Sequence, residues 1–184
     1  MRAIPGMVVL CPADDVEARA AVRAAYAHAG PVYLRFGRLP VPVIHGEDYS
    51  FRIGRGEILR DGTDVAIIAT GLMTAEALTA WEMLKAQGIH ARVINMASIK
   101  PLDEQLVLDA ARDCGGVVTC EEHSVVGGLG EAVASLLGEK CPTPICRIGV
   151  NDEFGFSGPG AELLRIFGLS AEHIADAAGR LARK

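Results

Sequence analysis

The alternation of apolar runs with helical segments of about ten or more residues predicts an α/β fold. The arrangement expected is a three-layer α/β/α domain around a mostly parallel five-stranded sheet with one antiparallel edge strand, preceded by a β-α-β remnant. Two runs carry this prediction. Asp64-Val65-Ala66-Ile67-Ile68-Ala69-Thr70 is apolar throughout its interior, as a strand covered on both faces should be. Gly30-Pro31-Val32-Tyr33-Leu34-Arg35-Phe36-Gly37-Arg38 is an apolar strand that delivers two guanidinium groups early in the chain, after too little sequence to build a site around them.

In chain order, Val8-Val9-Leu10-Cys11 reads as a strand, and Asp14 caps an alanine-rich amphipathic helix from Val16 to Ala29. Gly30-Pro31 stops that helix, and the strand Val32 to Phe36 completes β-α-β. From Arg38 to Tyr49, Pro40, Pro42 and Gly46 interrupt a stretch of little periodicity, a linker that puts a domain boundary near residue 48. Two domains are therefore expected, a remnant with linker over 1–48 and an independent domain over 49–184. Gly54 to Arg60 and Asp64 to Thr70 flank Asp61-Gly62, which predicts a hairpin and an antiparallel edge strand. A helix from Thr74 ends before Gly88, a residue suited to the left-handed position after a helix. The strand Ala91 to Asn95 comes next, then a helix opened by Lys100-Pro101-Leu102-Asp103 and running through Asp113. Gly115-Gly116 introduces the strand Val117 to Cys120, and Gly127-Gly128-Leu129-Gly130 a helix through Glu139. The strand Ile145 to Gly149 precedes helices over Gly160 to Phe167 and Ala171 to Leu181.

Composition removes several function classes. The chain is 184 residues long, 50% hydrophobic and 22% charged, with a mean hydropathy of +0.27, so it can bury a substantial core and disorder is not expected. A net charge of −5 without any Lys/Arg cluster argues against a nucleic-acid partner, since phosphate neutralisation needs a basic patch. No apolar run approaches the ~18 residues that would span a membrane. Arg2 follows Met1 with no signal-peptide segment behind it. The five cysteines form neither a close-spaced ligand pair nor an even-numbered framework, which points to reduced thiols in a cytoplasmic setting.

Arg38 is the strongest candidate for chemistry, because a planar guanidinium at the carboxyl end of a strand can grip a phosphate with two hydrogen bonds. Its bland alternative is an ion pair beside the linker. Arg35, three residues away, points to the opposite face of a regular strand. Glu121-Glu122-His123 lies just past the carboxyl end of a strand, where a carboxylate pair and an imidazole could move protons, or where loop acids could simply be solvated. Gly127 to Gly130 resembles a phosphate cradle at a helix start. It lacks the full G-x-G-x-x-G spacing, so a tight turn with close packing competes. Gly54-x-Gly56 reads as an edge-strand bend. His28, His45, His90 and His173 have no metal-ligand spacing. Cys11 and Cys120 read as buried small hydrophobes, and Trp81 as a core or interface residue.

Taken together, several segments resemble the transketolase family of thiamine-diphosphate enzymes. Met1 to Val9 with Pro12-Ala13-Asp14 is similar to a late stretch of that family's pyrimidine-binding domain, and Gly30 to Arg38 to the strand that closes it. Asp152-Glu153-Phe154-Gly155-Phe156-Ser157-Gly158, with Glu162-Leu163-Leu164 and Phe167-Gly168-Leu169, resembles the end of the C-terminal domain. The resemblance covers the whole chain, and the separate C-terminal subunits of split bacterial transketolases look most similar. It implies two-carbon ketol transfer between sugar phosphates in the pentose phosphate pathway, with thiamine diphosphate supplying the carbanion and Mg²⁺ or Ca²⁺ holding its diphosphate. Arg38 falls on the family's substrate-phosphate arginine. The family's cofactor-activating glutamate, stacking aromatic and histidine-rich substrate loop all precede the segment matching Met1.

The expectation is therefore the C-terminal section of a transketolase. Alone, it should be inactive, bind no thiamine diphosphate or metal, and serve assembly as a homodimer. The missing walls would come from an N-terminal section or subunit. Two alternatives remain: a piece of a deoxyxylulose-phosphate synthase or of a 2-oxoacid dehydrogenase beta subunit, and a non-catalytic interaction or nucleotide-binding module using Gly127 to Gly130. Residues 1–48 are too few to fold unaided, so they should lean on the following domain, swap with a partner or remain loose.

Overall fold

The computed structural model describes residues 1–182. Its larger sheet has five strands: β3 (Glu57–Arg60), β4 (Val65–Ala69), β5 (Ala91–Asn95), β7 (Val117–Ser124) and β8 (Ile145–Val150), in the order β3-β5-β4-β7-β8. All pairings are parallel except that of β3 with β5. Helices α2 (Met73–Ala86) and α6 (Ala171–Ala182) cover one face, where Ile67, Met73, Leu84 and Ile174 are fully buried. Helices α3 (Glu104–Cys114) and α4 (Leu129–Lys140) cover the other, over Ile68, Ile94, Val107 and Leu129. The three-layer fold with its antiparallel edge agrees with the prediction.

The Asp61-Gly62 hairpin does not form. β3 pairs with β5 rather than with β4, and the segment after Arg60 passes over the start of β5 before entering the sheet centre. Close packing accounts for the glycine, since a Cβ on Gly62 would collide with the His90 carbonyl. Asp64 then clasps the same end: its amide donates to the His90 carbonyl (3.0 Å), and its carboxylate accepts from the His90 amide (2.6 Å). Burial selects this order. Every residue of β4 is buried and needs a covered strand on each side, whereas β3 alternates between half-buried and exposed, as an edge does.

The β-α-β unit is also present, with β1 (Val8–Leu10) parallel to β2 (Val32–Leu34) and α1 (Asp15–Ala27) between them. The small sheet has a third strand that local sequence does not predict. Ser98–Lys100 forms β6, antiparallel to β1, so a segment from the far side of the linker closes the sheet β2-β1-β6. The small core beneath it is likewise shared: Val8, Leu10 and Ala21 pack with Phe51 and Ile53, and Val9 and Cys11 pack with Ile99. Residues 1–48 therefore lean on the C-terminal domain. The remaining helix, α5 (Gly160–Ile166), contributes no buried residue.

A buried polar network fixes the two sheets to one another. Glu17, in the first turn of α1 and 1% exposed, accepts hydrogen bonds from the Ala13 amide (2.7 Å), the Tyr49 hydroxyl (2.7 Å) and the Asn95 side-chain amide (2.9 Å). These donors come from the first section, the linker and β5. Asp14, the N-cap of α1, accepts from the amides of Glu17, Ile44 and His45 and from the His45 ring at 2.9 Å. The other ring nitrogen of His45 lies 3.2 Å from a Glu57 carboxylate oxygen of β3. Burial alone would raise the Asp14 carboxyl, but these hydrogen bonds outweigh it and hold the group below its ordinary value.

Removing the Glu17 carboxylate strands three donors, two of them buried, so Glu17→Ala should lower the unfolding free energy by about 3 kcal/mol in denaturant titration. A loss under about 0.5 kcal/mol would refute this role for the network. Because the folded-state value of Asp14 is depressed, its contribution is present above the unfolded-state value and lost as pH falls through the folded one. Thermal stability of the wild type should therefore drop below about pH 4, and Asp14→Asn should flatten that acid limb.

Candidate functional site

Arg38 lies just beyond β2 at the rim of a cavity of about 800 Å³ between the first section, the end of β7 and the segment leading into α5. It is exposed and, among the described residues, makes no hydrogen bond or ion pair. The ion pair that offered its bland alternative is thus absent among the described residues. Arg35 faces the same cavity, contrary to the expected opposite face, because β2 ends at Leu34 and strict alternation ends with it. Its guanidinium is already engaged. It donates to the Glu122 carbonyl at 2.6 Å, lies 3.7 Å from the Glu122 carboxylate, and approaches the Cys11 sulfur at 4.0 Å. The cavity floor is apolar, with Leu39, Leu163, Leu164 and Phe167. A second, smaller cavity of about 100 Å³ lies beyond the Arg35–Glu122 contact, lined by Arg2, Cys11, Thr70 and Gly128 among others.

Glu121-Glu122-His123 belongs to β7, which runs to Ser124 through a register irregularity after Cys120, rather than to a loop past the strand end. The bulge breaks simple alternation and gives the three side chains separate tasks. Glu121 is 2% exposed and accepts from the amides of Leu129 (2.7 Å) and Gly130 (2.8 Å) at the start of α4. Burial pushes its carboxyl up, while those two amides, with smaller help from the charges of His123 and Arg2, hold it down; burial prevails. Glu122 pairs with Arg35. His123 is exposed, with Nδ1 at 2.8 Å from the Ser124 carbonyl and 4.0 Å from the Glu121 carboxylate. The three therefore do not converge as a proton-transfer group.

Gly127 to Gly130 is the tight turn with close packing, not an open cradle. The N–H groups that would meet a phosphate are taken by Glu121, and a Cβ on Gly128 would overlap its carboxylate. Gly54 and Gly56 bend the chain toward β3, their amides donating to the Ser98 hydroxyl and the Asp103 carboxylate. Cys11 and Cys120 are buried thiols, both raised by burial. Trp81 packs partly buried against the main core under Arg60 and Lys85. His28, His90 and His173 are exposed and scattered. The bridging position of His45, between Asp14 and Glu57, had no signal in sequence beyond its place in the linker.

Similarity to known proteins respects the same division of the chain. Residues 54–174 match the family model described as transketolase, C-terminal domain, and residues 1–43 match transketolase, pyrimidine binding domain. The chain belongs to the transketolase family. A 6-deoxy-6-sulfo-D-fructose transketolase subunit of a Clostridium species is 48% identical over the whole chain, which spans 57% of that protein. A 1-deoxy-D-xylulose-5-phosphate synthase of Thermomicrobium roseum is 42% identical over 95% of the chain, which spans 28% of that enzyme. Among solved structures, one described as a split gene transketolase, inactive beta4 tetramer, superposes with a TM-score of 0.95 at 50% identity; it covers the whole chain, which spans 60% of it. The chain thus spans little more than half the length of these transketolase relatives.

Among the described residues no three His, Cys, Asp or Glu side chains converge as ligands for a cation, and the glycine-rich helix start is closed by Glu121. Among the described residues no helix is long and apolar enough to cross a membrane.

Gly128→Ala drives a methyl into a buried carboxylate that also caps α4, and should destabilise the fold by about 2 kcal/mol or more. Differential scanning calorimetry would read this as a fall in Tm. An unchanged Tm would show that Glu121 is free to move away, contrary to its capping role.

Proposed function

We propose that the chain is the C-terminal section of a split transketolase, in which residues 1–48 finish the pyrimidine-binding domain and 49–184 form the C-terminal domain. Joined to an N-terminal section or subunit, it would take part in two-carbon ketol transfer between sugar phosphates in the cytoplasm. Thiamine diphosphate, with Mg²⁺ or Ca²⁺, would supply the carbanion chemistry from that other polypeptide. This chain contributes recognition. The single observation that supports the reading is the uncommitted Arg38 guanidinium at the rim of a cavity between the two sections, where a bidentate grip on a phosphate is available.

By itself the chain serves assembly. In this reading it self-associates, as a homodimer or higher oligomer. The neighbouring split-gene structure is itself described as an inactive tetramer. A second reading, favoured by the 42% identity to a 1-deoxy-D-xylulose-5-phosphate synthase, keeps the cofactor and changes the reaction. A nucleotide-binding module is disfavoured because Glu121 occupies the helix start it would need.

The purified chain, supplied with ketose and aldose phosphates, thiamine diphosphate and Mg²⁺, should show no turnover, and activity should appear when the N-terminal section is added. In that assembly Arg38→Ala should raise the KM for a phosphorylated acceptor about tenfold or more, the scale of a lost charge-assisted hydrogen bond. Turnover by the chain alone would overturn the division of labour, and an unchanged KM would remove Arg38 from substrate recognition. Formation of 1-deoxy-D-xylulose 5-phosphate by the assembly would favour the synthase reading.

A further inference from the structure

Resting on the phosphate reading of Arg38, we propose that His123 is a specificity-determining residue of the same cavity, selecting a phosphate head group over a sulfonate. Among the described residues two arginines reach the cavity, and only one of these is free to serve a ligand. Arg35 is committed to Glu122 through contacts of 2.6 and 3.7 Å, so its charge is largely compensated. Arg38 is uncommitted among the described residues. One guanidinium serves any tetrahedral oxyanion, because its N–H groups donate to the oxygens of a sulfonate as readily as to those of a phosphate. Discrimination therefore needs a second group with a different proton inventory.

His123 provides it from the opposite section. Its Nδ1 lies 2.8 Å from the Ser124 carbonyl oxygen, an acceptor only, so Nδ1 carries a proton and, in the neutral form of the ring, Nε2 has the lone pair. Both His123 and Ser124 line the cavity that Arg38 enters. A phosphate monoester can hold or release one proton close to neutral pH. Phosphate and Nε2 can then share that proton in either direction, P–OH donating to neutral Nε2 or the imidazolium donating to the dianion. A sulfonate is a fully ionised acceptor with no proton to give. It faces the Nε2 lone pair unfavourably unless the ring is already charged.

Two carboxylates stand near the site, Glu121 at 4.0 Å from Nδ1 and Glu153 at the exposed side of the cavity. Glu153 repels a phosphate dianion more than a sulfonate, so it works against the preference and cannot be its source. His123 reaches the cavity beside the Arg35–Glu122 contact, so its position relative to Arg38 depends on both sections being in register.

The test is an NMR titration of the full chain with 2,3-dihydroxypropane-1-phosphonate and 2,3-dihydroxypropane-1-sulfonate, a pair sharing one carbon skeleton and differing in the head group. The wild type should bind the phosphonate about tenfold more tightly, the scale of one charge-assisted hydrogen bond. His123→Asn keeps a side-chain N–H near the Ser124 carbonyl and removes Nε2. It should bring the preference below about threefold without weakening the sulfonate. His123→Gln places a rotatable amide near the Nε2 position, able to donate to either head group, and should likewise narrow the preference. Arg38→Ala should weaken both ligands. If Arg38→Ala weakens both while either His123 variant keeps the wild-type preference, the inference on His123 is overturned and the Arg38 reading stands. If Arg38→Ala changes neither, or the wild type binds neither ligand, the phosphate reading itself fails and takes the inference with it.

Discussion

The buried carboxylate of Glu17 is the constraint on which the arrangement of this chain depends. A carboxylate taken out of water is costly unless donors replace the hydration it loses. Here the donors are recruited from three separate parts of the sequence: the turn before α1, the linker at Tyr49 and β5 at Asn95. None of them can be moved without leaving the charge exposed to an apolar interior, so the first section has one favoured seat on the second. Asp14 repeats the device one turn earlier, drawing Ile44, His45 and the start of the linker onto the same helix end. Both acids also sit where the partial positive charge of a helix N-terminus favours them.

Glu121 uses the same physics for a different purpose. It reaches from β7 into the start of α4 and satisfies two amides that no backbone carbonyl can serve. The glycine-rich turn is the steric counterpart of that reach, since a side chain at Gly128 would occupy the space of the carboxylate. A run of glycines at a helix start can therefore admit a protein carboxylate as readily as a ligand phosphate, and the partner decides which. In this chain the partner lies only a few residues upstream, on the strand that feeds the turn.

Much of the layered domain was legible because burial on both faces leaves a direct trace in sequence. The unbroken apolar run through Ile67 and Ile68 gave a central strand, and Gly88, observed in the left-handed conformation, marked a helix end. Local signals failed where a distant segment decided the outcome. Asp61-Gly62 has the composition of a hairpin turn, yet β5 competes successfully for β3. Ser98–Lys100 carries little strand character of its own and is ordered by pairing with β1. Arg38 drew notice in sequence from its place after a strand. The cavity it lines left no such trace, because Glu122, His123 and Leu163 come from segments far along the chain.

The exchange of β6 across the linker has a consequence for how the molecule would respond to a protease. Pro40 to Val43 is largely open to solvent, with Val43 61% exposed, and is the natural place for a nick. Cleavage there would sever the backbone without parting the pieces. The amino-terminal peptide would stay clasped by β6, by Phe51 and Ile53 beneath it, and by Tyr49 and Asn95 at Glu17, so the cut product would migrate as two bands under denaturing conditions and as one particle under native ones.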